Sequence, residues 1–214
     1  MSLDFASDGK PEIGAVFANS GKVIIPLTVL EIFDEETAMK FTDPVPAISG
    51  HYRTSQLTDK PGAGRDHYAN EAYSEFRRKF QADPAVDFLV CGDFNTEPDN
   101  ESVVKHLHAG SDPQAVRNAR EEPLLLDMFA GKDPAKFGTH YYHKPLIYDH
   151  VCISAGLLDD KGWTCLTDTA QTWTQGMIRG GAPHREPWRF GNEKASGGRG
   201  YSDHFPVTVK LKVN

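Results

Sequence analysis

The sequence predicts a mixed α/β (α+β) fold, and three kinds of stretch carry that reading. The C-terminal segment alternates strictly: Phe205, Val207, Val209, Leu211 and Val213 are apolar, while Thr208, Lys210 and Lys212 are polar. A period of two marks a half-buried strand. Two apolar runs, Phe88-Leu89-Val90-Cys91 closed by Gly92, and Leu146 to Ile153, have the length and flanks of buried central strands. Tyr68, Ala72, Phe76 and Phe80 recur every four residues, with Glu71, Glu75, Arg78 and Lys79 off the stripe. That spacing predicts a helix with one apolar face. Strands and helices that intermix along one chain give an α/β or α+β domain.

The other elements follow in order. Ile13 to Phe17 and Val23 to Phe33 read as two strands joined by a turn at Asn19-Ser20-Gly21. Pro44 and Pro46 interrupt regular structure. Gly62-Ala63-Gly64 is the loop before the helix, and Asp83-Pro84 ends it. A short helix is expected from Asp99, as its N-cap, to about Gly110. Residues 175–200, rich in Gly, Pro and Arg and without periodicity, read as a long loop. No repeat or low-complexity tract divides residues 1–214, which read as one domain.

Composition narrows the classes. With 214 residues, 39% hydrophobic and 25% charged, the chain can bury a core and is neither disordered nor fibrous. A net charge of -7 argues against tight non-specific binding of nucleic acid, although the local charge at a site decides the matter. No apolar run is long enough to span a bilayer. Met1-Ser2-Leu3-Asp4-Phe5 has neither a basic nor an apolar leader region, which leaves localisation open. No obligate protein partner is evident. Cys91, Cys152 and Cys165 lack metal-like spacing and are expected as buried thiols.

Three polar clusters sit beside the predicted strands. Gly92-Asp93-Phe94-Asn95 follows the first apolar run. A carboxylate there can hold or deprotonate a water, and the carboxamide can donate to an anionic oxygen; the same residues also suit a plain turn. Tyr148-Asp149-His150 lies inside the second run, where Asp149 needs a partner because a buried, unpaired carboxylate is costly. Either backbone amides or an imidazole could supply it. Ser202-Asp203-His204-Phe205-Pro206 opens the last strand. Asp203 suits a hard cation and His204 suits a phosphoryl oxygen.

Taken in order and spacing, these clusters resemble the endonuclease/exonuclease/phosphatase superfamily, which includes DNase I-like nucleases and phosphatases. The resemblance runs from His51 onward, and its most specific motif is the last. It implies a four-layer sandwich of two mainly antiparallel sheets flanked by helices. It also implies a Mg²⁺-dependent hydrolase of phosphoester bonds, with Mn²⁺ as a possible substitute, acting on a phosphodiester or phosphomonoester that could be a nucleic acid. By the same resemblance Asp93 positions or activates water and Asn95 bonds a phosphate oxygen. Asp203 binds the metal, His204 contacts the phosphate and Asp149 orients His204. His51 takes the place of an earlier family histidine, with Arg53 as a phosphate contact.

The family's opening motifs, an Asn on one strand and a metal-binding Glu on the next, are not recognisable here. Ahead of His51 only Glu12, Asn19, Glu31, Glu35 and Glu36 are candidates, none in a matching context. The expectation is therefore that the sequence begins part-way through the domain, with N-terminal strands missing. The alternative function is a catalytically inactive member that only binds. His106, His108, His140 and His143 have no partner set that would make zinc ligands of them. Arg179, Arg185, Arg189, Lys194 and Arg199, with Trp188 and Phe190, could grip an anionic substrate or form a solvated loop.

Overall fold

A computed structural model describes residues 12–16, 27–32, 47–51, 63–180, 184–189, 200 and 202–214. In chain order the strands are β1 (Glu12–Val16), β2 (Leu27–Ile32), β3 (Ala47–His51), β4 (Leu89–Asp93), β5 (Ala109–Gly110), β6 (Leu125–Asp127), β7 (His140–Tyr142), β8 (Lys144–Leu146), β9 (Asp149–Ile153), β10 (Trp163–Thr172) and β11 (Val207–Val213). The helices are α1 (Ala63–Ala82), α2 (Pro113–Asn118) and α3 (Pro134–Phe137).

Two sheets result. One has the order β1-β2-β11-β10 and the other β3-β4-β9-β6-β5, while β7 and β8 form a separate hairpin. Within the two main sheets β1–β2, β10–β11, β4–β9 and β6–β9 run antiparallel, whereas β2–β11, β3–β4 and β5–β6 run parallel. Mainly antiparallel pairing therefore holds among the described residues.

Side-chain alternation assembles the layers. Leu89 and Cys91 of β4, with Val151 and Ile153 of β9, pack against Trp163 and Cys165 of β10 and Val207, Val209 and Leu211 of β11. This is the core between the sheets. The intervening positions Val90 and Cys152 turn the other way, toward Ala69, Ala72, Tyr73 and Phe76 of α1. The Phe88 and Phe76 rings, 5.2 Å apart, fasten helix to sheet. The predicted helix and alternating tail thus appear where the periodicity put them, although α1 already begins at Ala63 within the expected loop, and the three cysteines are buried thiols outside any disulfide.

Three expectations need correction. The stretch 99–110 is not one helix: only Ser102–His106 is helical, as a single wide turn, and Ala109–Gly110 joins β6 as a strand. Asn100, not Asp99, accepts from the Ser102 N–H at 3.0 Å. The run 146–153 is broken at Ile147-Tyr148 into β8 and β9, because Tyr148 hands its carbonyl to the Phe94 N–H at 2.7 Å. Within residues 175–200, Ile178 bridges to Pro187 as an antiparallel pair, so that stretch is not wholly irregular. The turn at 19–21 lies outside the described residues.

Candidate active site

The inter-sheet alternation continues past its last apolar residues into charge. On β4 the series Leu89, Cys91 ends on Asp93; on β9 the series Ile153, Val151 ends on Asp149. Asp93 and Asp149 are direct partners in the antiparallel register. Both are almost fully buried, at 1% exposure each. Two carboxylates so placed need compensation, since neither water nor an apolar wall can hold their charge.

His204 supplies it for Asp149. Its Nδ1 lies 2.6 Å from Asp149 Oδ2, and its Nε2 lies 3.9 Å from Asp93 Oδ2. The segment before β11 is pinned for this purpose: the Phe205 N–H donates to the Thr139 carbonyl, and His204 bridges to His140 across the start of β7. Burial is the largest single influence on His204 and opposes its charge, but the Asp149, Asp93 and Asp203 carboxylates together outweigh it and lift the imidazole to about 9. Burial likewise pushes Asp149 up, yet His204 and the adjacent Thr139 hydroxyl hold it below the usual carboxylate range. The pair is an imidazolium on a carboxylate at neutral pH.

Asp93 is shaped by the turn that follows it. Its Oδ1 accepts from the Asn95 backbone N–H at 2.8 Å and its Oδ2 from the Asn95 side-chain amide at 3.2 Å. Asn95 adopts φ 52°, a left-handed conformation that Asn tolerates better than most residues. Gly92, at φ 143°, occupies backbone space that side chains disfavour. Arg65 of α1 donates to the Asn95 carbonyl at 3.0 Å.

The structure thus brings Asp93, Asn95, Asp149, Asp203 and His204 of the sequence reading to one place. His51 closes β3 in register with Asp93. Arg53, Asn19, Glu35 and Glu36 lie outside the described residues. Glu12 and Glu31 pair with each other, and Glu31 also stands beside Lys210.

Two residues passed over as zinc-free histidine and flanking aromatic belong to this site. The His140 ring centre lies 4.4 Å from that of His204, and its Nδ1 is 3.0 Å from the Asp203 carbonyl. Tyr148 stacks on His140 at 5.4 Å and 9°. Burial, then the charge of His204, lowers His140, so it stays neutral beside its charged neighbour. The signal that would have found it is the pairing of β7 with the segment before β11, which no local spacing reveals.

For a divalent cation, two donor groupings exist among the described residues: Asp93, Asp149 and His204, and His140, Asp203 and His204, each with ligand atoms within 4.8 Å of one another. The carboxylates of Asp93 and Asp149 in the first grouping, and of Asp203 in the second, are oxygen donors of the kind that suits Mg²⁺, which is commonly held by one or two carboxylates and otherwise by water and substrate phosphate.

A cavity of about 500 Å³ is lined by Glu97, Asp99, Ser111, Lys132 and apolar Ala109 and Ile147, and by none of Asp93, Asn95, Asp149, Asp203 and His204. Burial, and then Glu97, raise the Tyr148 hydroxyl, which also feels Asp93. The described arginines of the downstream segment are engaged elsewhere, while Phe190, Lys194 and Arg199 lie outside the described residues. Arg179 pairs with Glu186, Arg185 donates to the Thr172 carbonyl and Arg189 to the Tyr141 carbonyl.

The profile of the endonuclease/exonuclease/phosphatase family matches residues 60–213. Among solved structures, the mannosyl-6-phosphatase of Bacteroides thetaiotaomicron shares 16% identity over 94% of this chain and 57% of that one, with a TM-score of 0.38. An endonuclease/exonuclease/phosphatase family protein of the same organism shares 15% over 94% and 56%, with a TM-score of 0.36. The human nocturnin catalytic domain with bound sulfate shares 12% over 73% and 44%, with a TM-score of 0.28. The chain spans a little over half the length of the two bacterial proteins. No curated protein matches it.

Proposed function

This chain belongs to the endonuclease/exonuclease/phosphatase family, and on that footing we propose that it hydrolyses a phosphoester with a divalent cation, Mg²⁺ or Mn²⁺, bound at Asp203. The observation that carries the proposal is the buried His204, held at 2.6 Å on Asp149 and facing Asp93 at 3.9 Å. A bound cation would neutralise phosphoryl oxygens and lower the barrier to attack.

The chain's own groups do the rest. His204, kept protonated by its carboxylates, presents Nε2–H as a cationic donor to a phosphoryl oxygen. Asp149 fixes the orientation of that ring. Asp93, aimed by the Asn95 turn, orients a water and accepts its proton. The Asn95 amide donates to oxygen charge that grows in the transition state. His51, as a further catalytic residue, and Arg53, as a phosphate contact, complete this reading.

The overall charge of -7 favours a small organic phosphoester over nucleic acid.

The test is hydrolysis of bis(p-nitrophenyl) phosphate and p-nitrophenyl phosphate with Mg²⁺, with EDTA, and by His204→Ala in Mg²⁺. Turnover that needs both the metal and His204 is expected. Folded protein without turnover would mean a member that only binds. Turnover that survives EDTA and the substitution would place the chemistry elsewhere. Activity on a polynucleotide that fell steeply with salt would overturn the small-substrate reading.

A further inference from the structure

We propose that His150 is a positioning residue: donating from both ring nitrogens and stacked on Phe94, it fixes the Asp93–Thr96 turn that presents Asp93 and Asn95 to the substrate.

His150 follows Asp149 and so points to the opposite side of β9, away from His204 and toward α1. It is wholly buried. Nδ1 lies 2.8 Å from Asp127 Oδ2 and Nε2 lies 2.9 Å from the Thr96 carbonyl. A carboxylate and a carbonyl only accept, so both nitrogens donate. Its ring lies flat on Phe94, with centres 4.6 Å apart and planes 6° from parallel. Phe94 stands between Asp93 and Asn95, and Thr96 follows them. His150 therefore grips the turn at two points, the ring behind its middle and the carbonyl at its end.

The grip is itself anchored. Asp127 ends β6, is buried, and its other oxygen accepts from the Phe129 N–H at 2.9 Å. Gly92 is the register partner of His150, which lets the backbone of β4 pass close to it. Without His150, the buried Thr96 carbonyl would lose its partner, and such a group costs more than the bond it made. The turn would shift to recover a bond, and Asn95, already in a left-handed conformation, would move with it.

The kinetic part of this inference rests on the proposed hydrolysis, whereas its structural part does not. His150→Phe keeps the ring on Phe94 and removes both donors. It should lower kcat on bis(p-nitrophenyl) phosphate about 10–100-fold, the usual range for partners behind an active group, with KM changed less than about twofold. His150→Gln, whose carboxamide can donate to Thr96, should recover part of kcat. In ¹H–¹⁵N spectra His150→Phe should move the Asn95 amides and leave those of α1 in place. A folded His150→Phe with wild-type kcat and unmoved Asn95 amides overturns the proposal. Should that variant fail to fold, Asp127→Asn, which keeps shape and acceptor but not charge, is read in the same way, with a smaller loss expected and none overturning it. If the wild-type protein hydrolyses nothing, the proposed function falls, and the Asn95 amides alone decide the role of His150.

Discussion

His204 and His150 are both buried imidazoles seated on a carboxylate, with Nδ1 at 2.6 Å from Asp149 and 2.8 Å from Asp127 respectively. They differ in what the second nitrogen meets. The Nε2 of His150 ends on a backbone carbonyl at 2.9 Å, so its hydrogen-bonding capacity is closed. The Nε2 of His204 faces Asp93 at 3.9 Å, too far for a hydrogen bond. One histidine is consumed by the scaffold, and the other keeps a donor for something that is not protein. Adjacent positions on β9, Asp149 and His150, divide these tasks by pointing to opposite faces.

That contrast can be broken at several points. The largest effect is expected at the open pair: His204→Ala or Asp149→Asn should cost about 10²–10⁴ in kcat, measured on a chromogenic phosphodiester. A loss no greater than that of His150→Phe would erase the distinction between them. Next comes a purely apolar control. Phe88→Ala, behind the sheet and against α1, should lower the unfolding free energy by about 3–5 kcal/mol in urea titrations while leaving kcat per folded molecule intact.

Acidity sharpens the comparison. The folded values of both His204 and His150 are raised, so the stability they contribute is full below the unfolded value of about 6.5 and is lost as pH rises through the folded value. For His204 that loss spans about 6.5 to about 9. Asp149 is depressed, so its contribution holds above about 3.9 and disappears as pH falls through its folded value. Urea titrations at pH 6 to 9 should show declining stability in the wild type and a shallower decline in His204→Ala. Equal slopes would mean that the pair does not gain its proton on folding. The smallest effect belongs to the exposed bridge between Lys144 and Glu97 at 3.7 Å: Lys144→Ala should change stability by less than about 0.5 kcal/mol.

How much of this the sequence disclosed depends on whether a signal was local. Asp93 was legible because it follows an apolar run closed by Gly92, and Asp149 because a carboxylate inside an apolar run needs a partner; that the two face each other comes only from the register of β4 against β9. His204 was legible from its place before the alternating tail. His150 stood in a noted cluster without a role, because its partners, Asp127 and Thr96, are brought to it only by tertiary pairing of β6, β4 and β9. The expected helix over 99–110 failed for a related reason. Val103 and Leu107 have helical spacing and are buried, but pairing with β6 draws Ala109–Gly110 into a sheet. Even one dipeptide reads two ways: Asp83-Pro84 closes α1, whereas Asp112-Pro113 and Asp133-Pro134 open α2 and α3, each Asp accepting from the amides of the first turn.

The register of β9 against β4 has a consequence for assembly. If β9 slipped by one residue, every side chain would change face. Asp149 would turn toward Asp127, setting two carboxylates together in a dry interior, and His150 would be delivered to the front with no carboxylate behind it. The alternative alignment is thus penalised by charge as well as by misplaced Val151 and Ile153. A nascent chain that makes this error cannot settle into a near-native shape with a damaged centre, so the residues that would do the chemistry also act as the proofreaders of their own strand.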